Sequence, residues 1–307
     1  MGQNRSSAGR AVKPRMTVRR QAPEGRARRK SVALFAAMAV ILLATGCGTS
    51  SARSQIPRPD HIVVVIEGNQ GYDDIIGSPE APYLNYLAGR GASLTDFYGI
   101  THPSQPNYVA LFSGSTQGIR GDSCPHSLTG KNLASELLQA DMTFAGYAQS
   151  IPRAGFTGCA SGAYVRRHNP WVNFTNLPAS VNRPLTSFPR DFSRLPSVSF
   201  VAPDLLHDMH DGNVRRADTW LRDNLDDYAR WAMTHNSLLV VTWDEGSEKT
   251  PANRIPTILV GEKVQPGDNS QPSNLYGLLR TFLDAFRLTP LGHSAAADPL
   301  DVWRKNA

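Results

Sequence analysis

Five runs of apolar, largely β-branched residues recur along the chain with helical patterns between them, and they constrain the fold more than any other feature. They are "HIVVVIE" (61–67), "TFAGYAQ" (143–149), "SVSFVAP" (197–203), "SLLVVTW" (237–243) and "TILVG" (257–261). Apolar residues fill both faces of these strands instead of alternating with polar ones, so both faces are to be covered. The intervening helices carry the covering surface. "RRADTWLRDNLDDYARWAMTHN" puts Trp220, Leu221, Leu225, Tyr228 and Ala232 on one stripe. "SNLYGLLRTFLDAF" turns Leu275, Leu278, Leu279, Phe282 and Phe286 inward, with Ser273 as its expected cap. This alternation predicts an α/β fold, a doubly wound, mostly parallel sheet with helices on both faces. Residues 150–196, dense in Pro, Asn and Arg, read as an ordered excursion over the sheet's carboxyl edge. Residues 61–307 show no internal repeat and no linker, and are read as one domain.

The formal charge of +6 invites a nucleic-acid partner, but its distribution removes that reading. Residues 1–46 carry ten Lys and Arg against one acid, Glu24, which leaves the remainder at about −3. The basic stretch ends in "RARRK", followed by "VALFAAMAVILLATG" and Cys47. That apolar run falls short of the ~20 residues that span a bilayer and suits the core of a signal peptide. "LATGC" resembles a bacterial lipobox, which implies export, cleavage before Cys47 and a lipid on its sulfur. Cleavage without lipid, giving a secreted protein, and an uncleaved anchor are the other readings; Met16 is an alternative start. Residues 1–46 are therefore expected to be a lipoprotein-type signal peptide and 47–60 a flexible tether to the membrane. With Cys47 set aside, Cys124 and Cys159 form an even pair, which in an exported chain reads as a disulfide, with two free thiols as the alternative.

Ligands of open α/β sheets sit beyond the carboxyl ends of the strands. The first run here ends in Glu67, Gly68 and Asn69, and the fourth in Asp244 and Glu245. Adjacent carboxylates after a buried strand repel one another unless a cation or a basic group compensates. Solvated turn residues are the plain alternative. A set of hard oxygens favours a divalent Ca, Mg or Mn ion over Zn. "THPSQPNYVALFSG" (101–114) places Ser104 at a helix N-terminus, where free N–H groups and the dipole attract phosphate. An ordinary capping serine is the competing reading.

Taken together, "VVVIEGNQGYDDIIG", "THPSQPNYVALFSGSTQG", "SCPHSLTGKNLASELL", "HNPWVNF", "DMHDG" and "VTWDEG" resemble, in this order, the acid phosphatase and phospholipase C phosphoesterase family. The resemblance covers roughly residues 60–303 and implies an alkaline-phosphatase-like fold. It implies that Ser104 is a nucleophile forming a phosphoserine and that His210 assists the phosphate or the leaving group. It further implies that Asn69, Asp244 and Glu245 hold the metal, while His102, Asn107 and His168 bind substrate. The family's usual metal-ligand glutamate beside Asn69 is Gly68 here, so Glu67 is the expected replacement. A family cysteine pair is replaced by Leu206 and Gly212, and a histidine of the last helix by Leu275. The expected function is an exported, metal-dependent acid phosphatase acting on phosphomonoesters. A phospholipase C-like phosphodiesterase and a catalytically lapsed surface-binding lipoprotein are the alternatives.

Overall fold

The computed structural model describes residues 56–305, so the expected signal peptide, Cys47 and most of the tether lie outside the described residues. The chain opens with β1 (His61–Glu67), α1 (Tyr72–Ile75), α2 (Pro82–Arg90), β2 (Ala92–Leu94) and β3 (Phe97–Tyr98). Then come α3 (Ser104–Ser113), α4 (Leu133–Gln139) and β4 (Phe144–Ala148). The excursion holds β5 (Ala160–Ser161), β6 (Tyr164–Val165) and β7 (Asn182–Pro184) among short 3-10 turns. It ends at β8 (Val198–Ala202), after which follow α5 (Val214–Ala232), β9 (Ser237–Trp243) and β10 (Thr257–Val260). Next come β11 (Gly267–Asn269), β12 (Ser273–Asn274) and α6 (Leu275–Ala285), and a 3-10 turn at Gly292–Ala296 closes the series.

All five apolar runs are strands of one eight-stranded sheet, in the order β11-β2-β10-β9-β1-β8-β4-β7. Pairing is parallel throughout except at β10, which runs against β9 and β2. The long strands sit in the middle because they are the ones buried on both faces: Ile62 to Ile66 and Leu238 to Val241 are enclosed. The short edge strands β7 and β11 carry Pro184, Gly267 and Asp268, residues that suit an edge and lack an apolar run.

Helices α2 and α5 pack together over β9 and β10, while α3 packs with α6 and α4. The stripe predicted on α5 is buried from Trp220 to Ala232, as is the inward face of α6. The cap of α6 is Asn274, one residue beyond the expected Ser273: its side chain accepts from Tyr276 N and Gly277 N. Both residues form the short strand β12, and Asn274 is the one directly before the helix, where its side chain reaches two N–H groups. Leu275 opens that helix inside the core. Among the described residues no helix is long and apolar enough to cross a membrane.

Candidate active site

Three adjacent parallel strands, β9, β1 and β8, end side by side, and their outgoing loops are stitched together by backbone hydrogen bonds. Asp244 N donates to Glu67 O at 3.0 Å, and Gly68 N donates to Asp208 O at 2.8 Å. The carboxyl ends of the central strands therefore gather residues 67–69, 204–210 and 244–245 into one place. Asn69 and Met209 adopt left-handed backbone angles, φ 60° and 70°. Asparagine tolerates that region, but for Met209 it costs roughly 1–2 kcal/mol, which the surrounding loop contacts must offset.

Helix α3 brings Ser104 to this edge as its first residue, and the helix is buried along its whole length. Gly114 ends it at φ 73°, pressed so close to Leu291 O that no side chain fits. Ser104 Oγ–H donates to Glu245 Oε1 at 2.7 Å, and His102 Nδ1 pairs with the other oxygen, Oε2. The nucleophile candidate, a carboxylate and an imidazole thus stand in sequence. Asp122 accepts the N–H of Gln105 at 2.9 Å, so one of the free donors at this helix start is already used. Asn107 does not face the cavity. Its amide accepts from Ile100 N and Thr101 N and donates to Thr101 O and Pro103 O, which pins the loop that carries His102 and Ser104.

A cavity of about 240 Å³ opens here, lined by Asn69, His102, Ser104, Asp122, His210 and Glu245 among others. A larger space of 550 Å³ lies beside Tyr147 and Arg183, away from this convergence of titratable groups. Beneath the cavity, His168 stacks on Tyr108 at 4.9 Å and pairs through Nδ1 with Asp208 Oδ2 at 2.8 Å. His168 is buried and outside the cavity lining, with Nε2 lacking a partner.

Burial pushes the Glu67 carboxyl well above the usual carboxylate range, and the charges of Asp208 and Asp218 push the same way. Asp244 is raised first by burial and then by its neighbour Glu245. Glu245 is raised by burial as well, with the Ser104 and His102 contacts pulling it back. Glu67 Oε1 and Oε2, Asn69 Oδ1 and Asp244 Oδ2 are all buried with no hydrogen-bond partner. Buried acceptors rarely go unpaired, and a hard cation is the group that would satisfy such oxygens. Among the described residues no three or more His, Cys, Asp or Glu side chains converge into a ready-made cage. The donors that fit a cation are accordingly two carboxylates and an amide oxygen, while Glu245 is engaged by Ser104 and His102. A Cβ at Gly68 would stand 3.3 Å from Asp244 Oδ1, so the missing family carboxylate belongs beside these oxygens.

Asp208, Asp122 and Arg167 were not singled out by sequence. Asp208 lies inside "DMHD" and Arg167 directly precedes "HNP", so motif proximity was the available signal. Positions 206 and 212 are spatial neighbours: a Cβ on Gly212 would lie 2.1 Å from Leu206 O, and the loop closes tightly without a bridge. Cys124 and Cys159 are disulfide-bonded, with Cα atoms 5.9 Å apart.

The fold is of the alkaline-phosphatase superfamily type. A protein of that superfamily from Vibrio parahaemolyticus superposes with a TM-score of 0.56 at 16% identity, covering 79% of this chain and 71% of that one. The phosphonate monoester hydrolase of Agrobacterium radiobacter gives 0.52 at 11% identity, covering 80% and 79%. At such identities these likenesses show the fold alone. The chain itself belongs to the phosphoesterase family, matched over residues 78–289, and its activity class is hydrolysis of phosphate esters. It is 41% identical over 282 residues to a phosphatidylinositol-3-phosphatase of Mycobacterium tuberculosis, covering 89% of this chain and 94% of the relative. It is 32% identical over 195 residues to a phosphate-repressible acid phosphatase of Penicillium chrysogenum, covering 59% of this chain but only 47% of that longer protein.

Proposed function

We propose that this chain is an exported, metal-dependent phosphomonoesterase working through a phosphoserine on Ser104. The observation that carries the reading is the Ser104–Glu245–His102 chain of contacts beside the orphaned oxygens of Glu67, Asn69 and Asp244. Glu245 accepts the Oγ proton as Ser104 attacks phosphorus, and His102 steadies the carboxylate from its far side. His210, on the cavity wall, is placed to protonate the departing ester oxygen. Water then cleaves the phosphoserine, its proton passing to His210, while Glu245 returns its proton to the departing Ser104 Oγ, which restores both groups. A divalent cation held by Glu67, Asn69 and Asp244 would supply charge neutralisation at the phosphate and lower the serine's pKa. A phosphatidylinositol 3-phosphate headgroup, suggested by the relative from Mycobacterium tuberculosis, falls within the phosphomonoester class. Lipid attachment at Cys47, supported by "LATGC", would hold the enzyme at a membrane surface. Turnover of p-nitrophenyl phosphate with added Ca, Mg or Mn tests the reading. Wild type is expected to exceed Ser104→Ala by about 10³-fold or more, and equal rates for the two proteins would remove it.

One observation favours a second reading, a lapsed enzyme that binds ligand without turnover. Gly68 leaves the edge one carboxylate short, and no ready-made cage is found among the described residues. Cation binding by calorimetry with no metal-stimulated turnover in the same sample is the outcome that reading requires.

A further inference from the structure

Arg166 and Arg167 are neighbours in sequence with opposite fates. Arg166 uses its guanidinium inside the protein. Nε donates to Asn173 Oδ1 at 2.9 Å and Nη1 to Thr157 O at 2.7 Å, while Nη2 donates to His126 O and Val172 O at 2.8 and 3.0 Å. Arg167 keeps most of its donors free. Its Nη2 donates to His210 Nε2 at 3.3 Å, and its Nε stands 3.8 Å from Asp122 Oδ2, beyond hydrogen-bond reach. That Nε is buried with no partner, although the side chain as a whole is 22% exposed. Asp122 and His210, which flank the guanidinium, both line the Ser104 cavity.

The remaining wall is acidic: Asp122, Glu245 and Glu248 line it, with Asp244 and Glu67 behind. A phosphate dianion entering such a cavity meets repulsion unless fixed positive charge faces it. A guanidinium cannot be deprotonated in a protein and offers a planar fork of donors matched to two phosphate oxygens. Because arginine only donates, its contact occupies the His210 Nε2 lone pair, while His210 Nδ1–H donates to Asp211 Oδ1 at 2.7 Å. A phosphate that takes over the Arg167 donor would free His210 Nε2 from this contact.

We propose that Arg167 is a phosphate-positioning residue of this site, its Nε and Nη donors taking two non-bridging oxygens while Asp122 and His210 hold the fork ready. The inference rests on the phosphoesterase reading above and deepens it to substrate class. A monoester dianion offers three non-bridging oxygens and up to two negative charges. A diester offers two oxygens and one charge, so the fork discriminates in favour of monoesters.

The full chain, Arg167→Gln and Arg167→Lys are compared on p-nitrophenyl phosphate and bis(p-nitrophenyl) phosphate, with inorganic phosphate binding measured by calorimetry. Arg167→Gln is expected to raise the monoester KM and the phosphate Kd by about 10- to 100-fold, the worth of a charge-assisted pair. Its effect on the diester should stay within about 3-fold, and Arg167→Lys should recover part of the phosphate affinity. A phosphate Kd within twofold of wild type in Arg167→Gln, or equal losses on both esters, overturns the proposal. If Arg167→Gln does not fold by circular dichroism, phosphate affinity of Arg167→Lys decides, and an unchanged value overturns it. Phosphate binding that depends on Arg167 in a protein without turnover would sink the hydrolase reading while leaving this one standing.

Discussion

Glu67 and Asp244 are buried acids with orphaned oxygens, and that combination sets the pH response of the metal-free protein. Both carboxyls are raised well above their usual range, chiefly by burial. A group raised in the folded state contributes stability that is fully present below its unfolded pKa, near 4, and is lost as pH rises through the folded value. With chelator present, the melting temperature should therefore fall as pH climbs from about 4 toward neutral, to the extent these two acids control it. A saturating divalent cation favours the ionised carboxylates, so its stabilising effect should grow with pH over the same interval. Glu67→Gln should flatten the apo slope and weaken cation binding together. Calorimetric melts across pH, with and without cation, read both effects, and an unchanged slope in Glu67→Gln would remove Glu67 from this account.

Among the elements, α6 shows how a cap position is chosen by its surroundings. Ser and Asn stand side by side at 273 and 274, and both are good caps by residue type. Ser273 and Asn274 both pair in the small sheet, with Phe97 and Tyr98, and Asn274 is the one that stands directly before the helix. Asn274→Ala should cost about 1 kcal/mol in a denaturant titration, and Ser273→Ala clearly less. Equal costs would mean that the side-chain cap contributes nothing to this helix. Helix α3 carries a related lesson: Asn107 reads as a substrate contact from its motif, yet its amide is consumed by the four backbone groups around Ser104. Its work is to hold the loop, because unpaired buried backbone groups there would be costly.

For the molecule as a whole, the Cys124–Cys159 bond ties the segment after α3 to the excursion that carries Arg166, Arg167 and His168. The two residues are 35 apart, and a loop of that length stabilises the fold by about 3–4 kcal/mol when closed. Replacing both cysteines with serine should lower stability by that amount. Because the excursion supplies the His168 and Arg167 side of the site, kcat/KM should fall further than Ser104 geometry alone explains. A double variant with wild-type melting temperature and activity would show that the excursion is held by other contacts.

The sequence by itself determined the five long strands, the two amphipathic helices and the oxygen-rich ends of β1 and β9. Which faces are buried is written locally, in the spacing of apolar residues. Tertiary structure alone decided that Glu245 meets Ser104 and His102, that Asp208 stands behind His168, and that Arg167 rather than Arg166 keeps free donors. It also decided the short strands β2, β7 and β11, whose three residues apiece leave no periodic trace. These outcomes depend on groups far apart in the chain, and a hydrogen-bond partner chosen across such a distance leaves no mark on the local pattern of either residue.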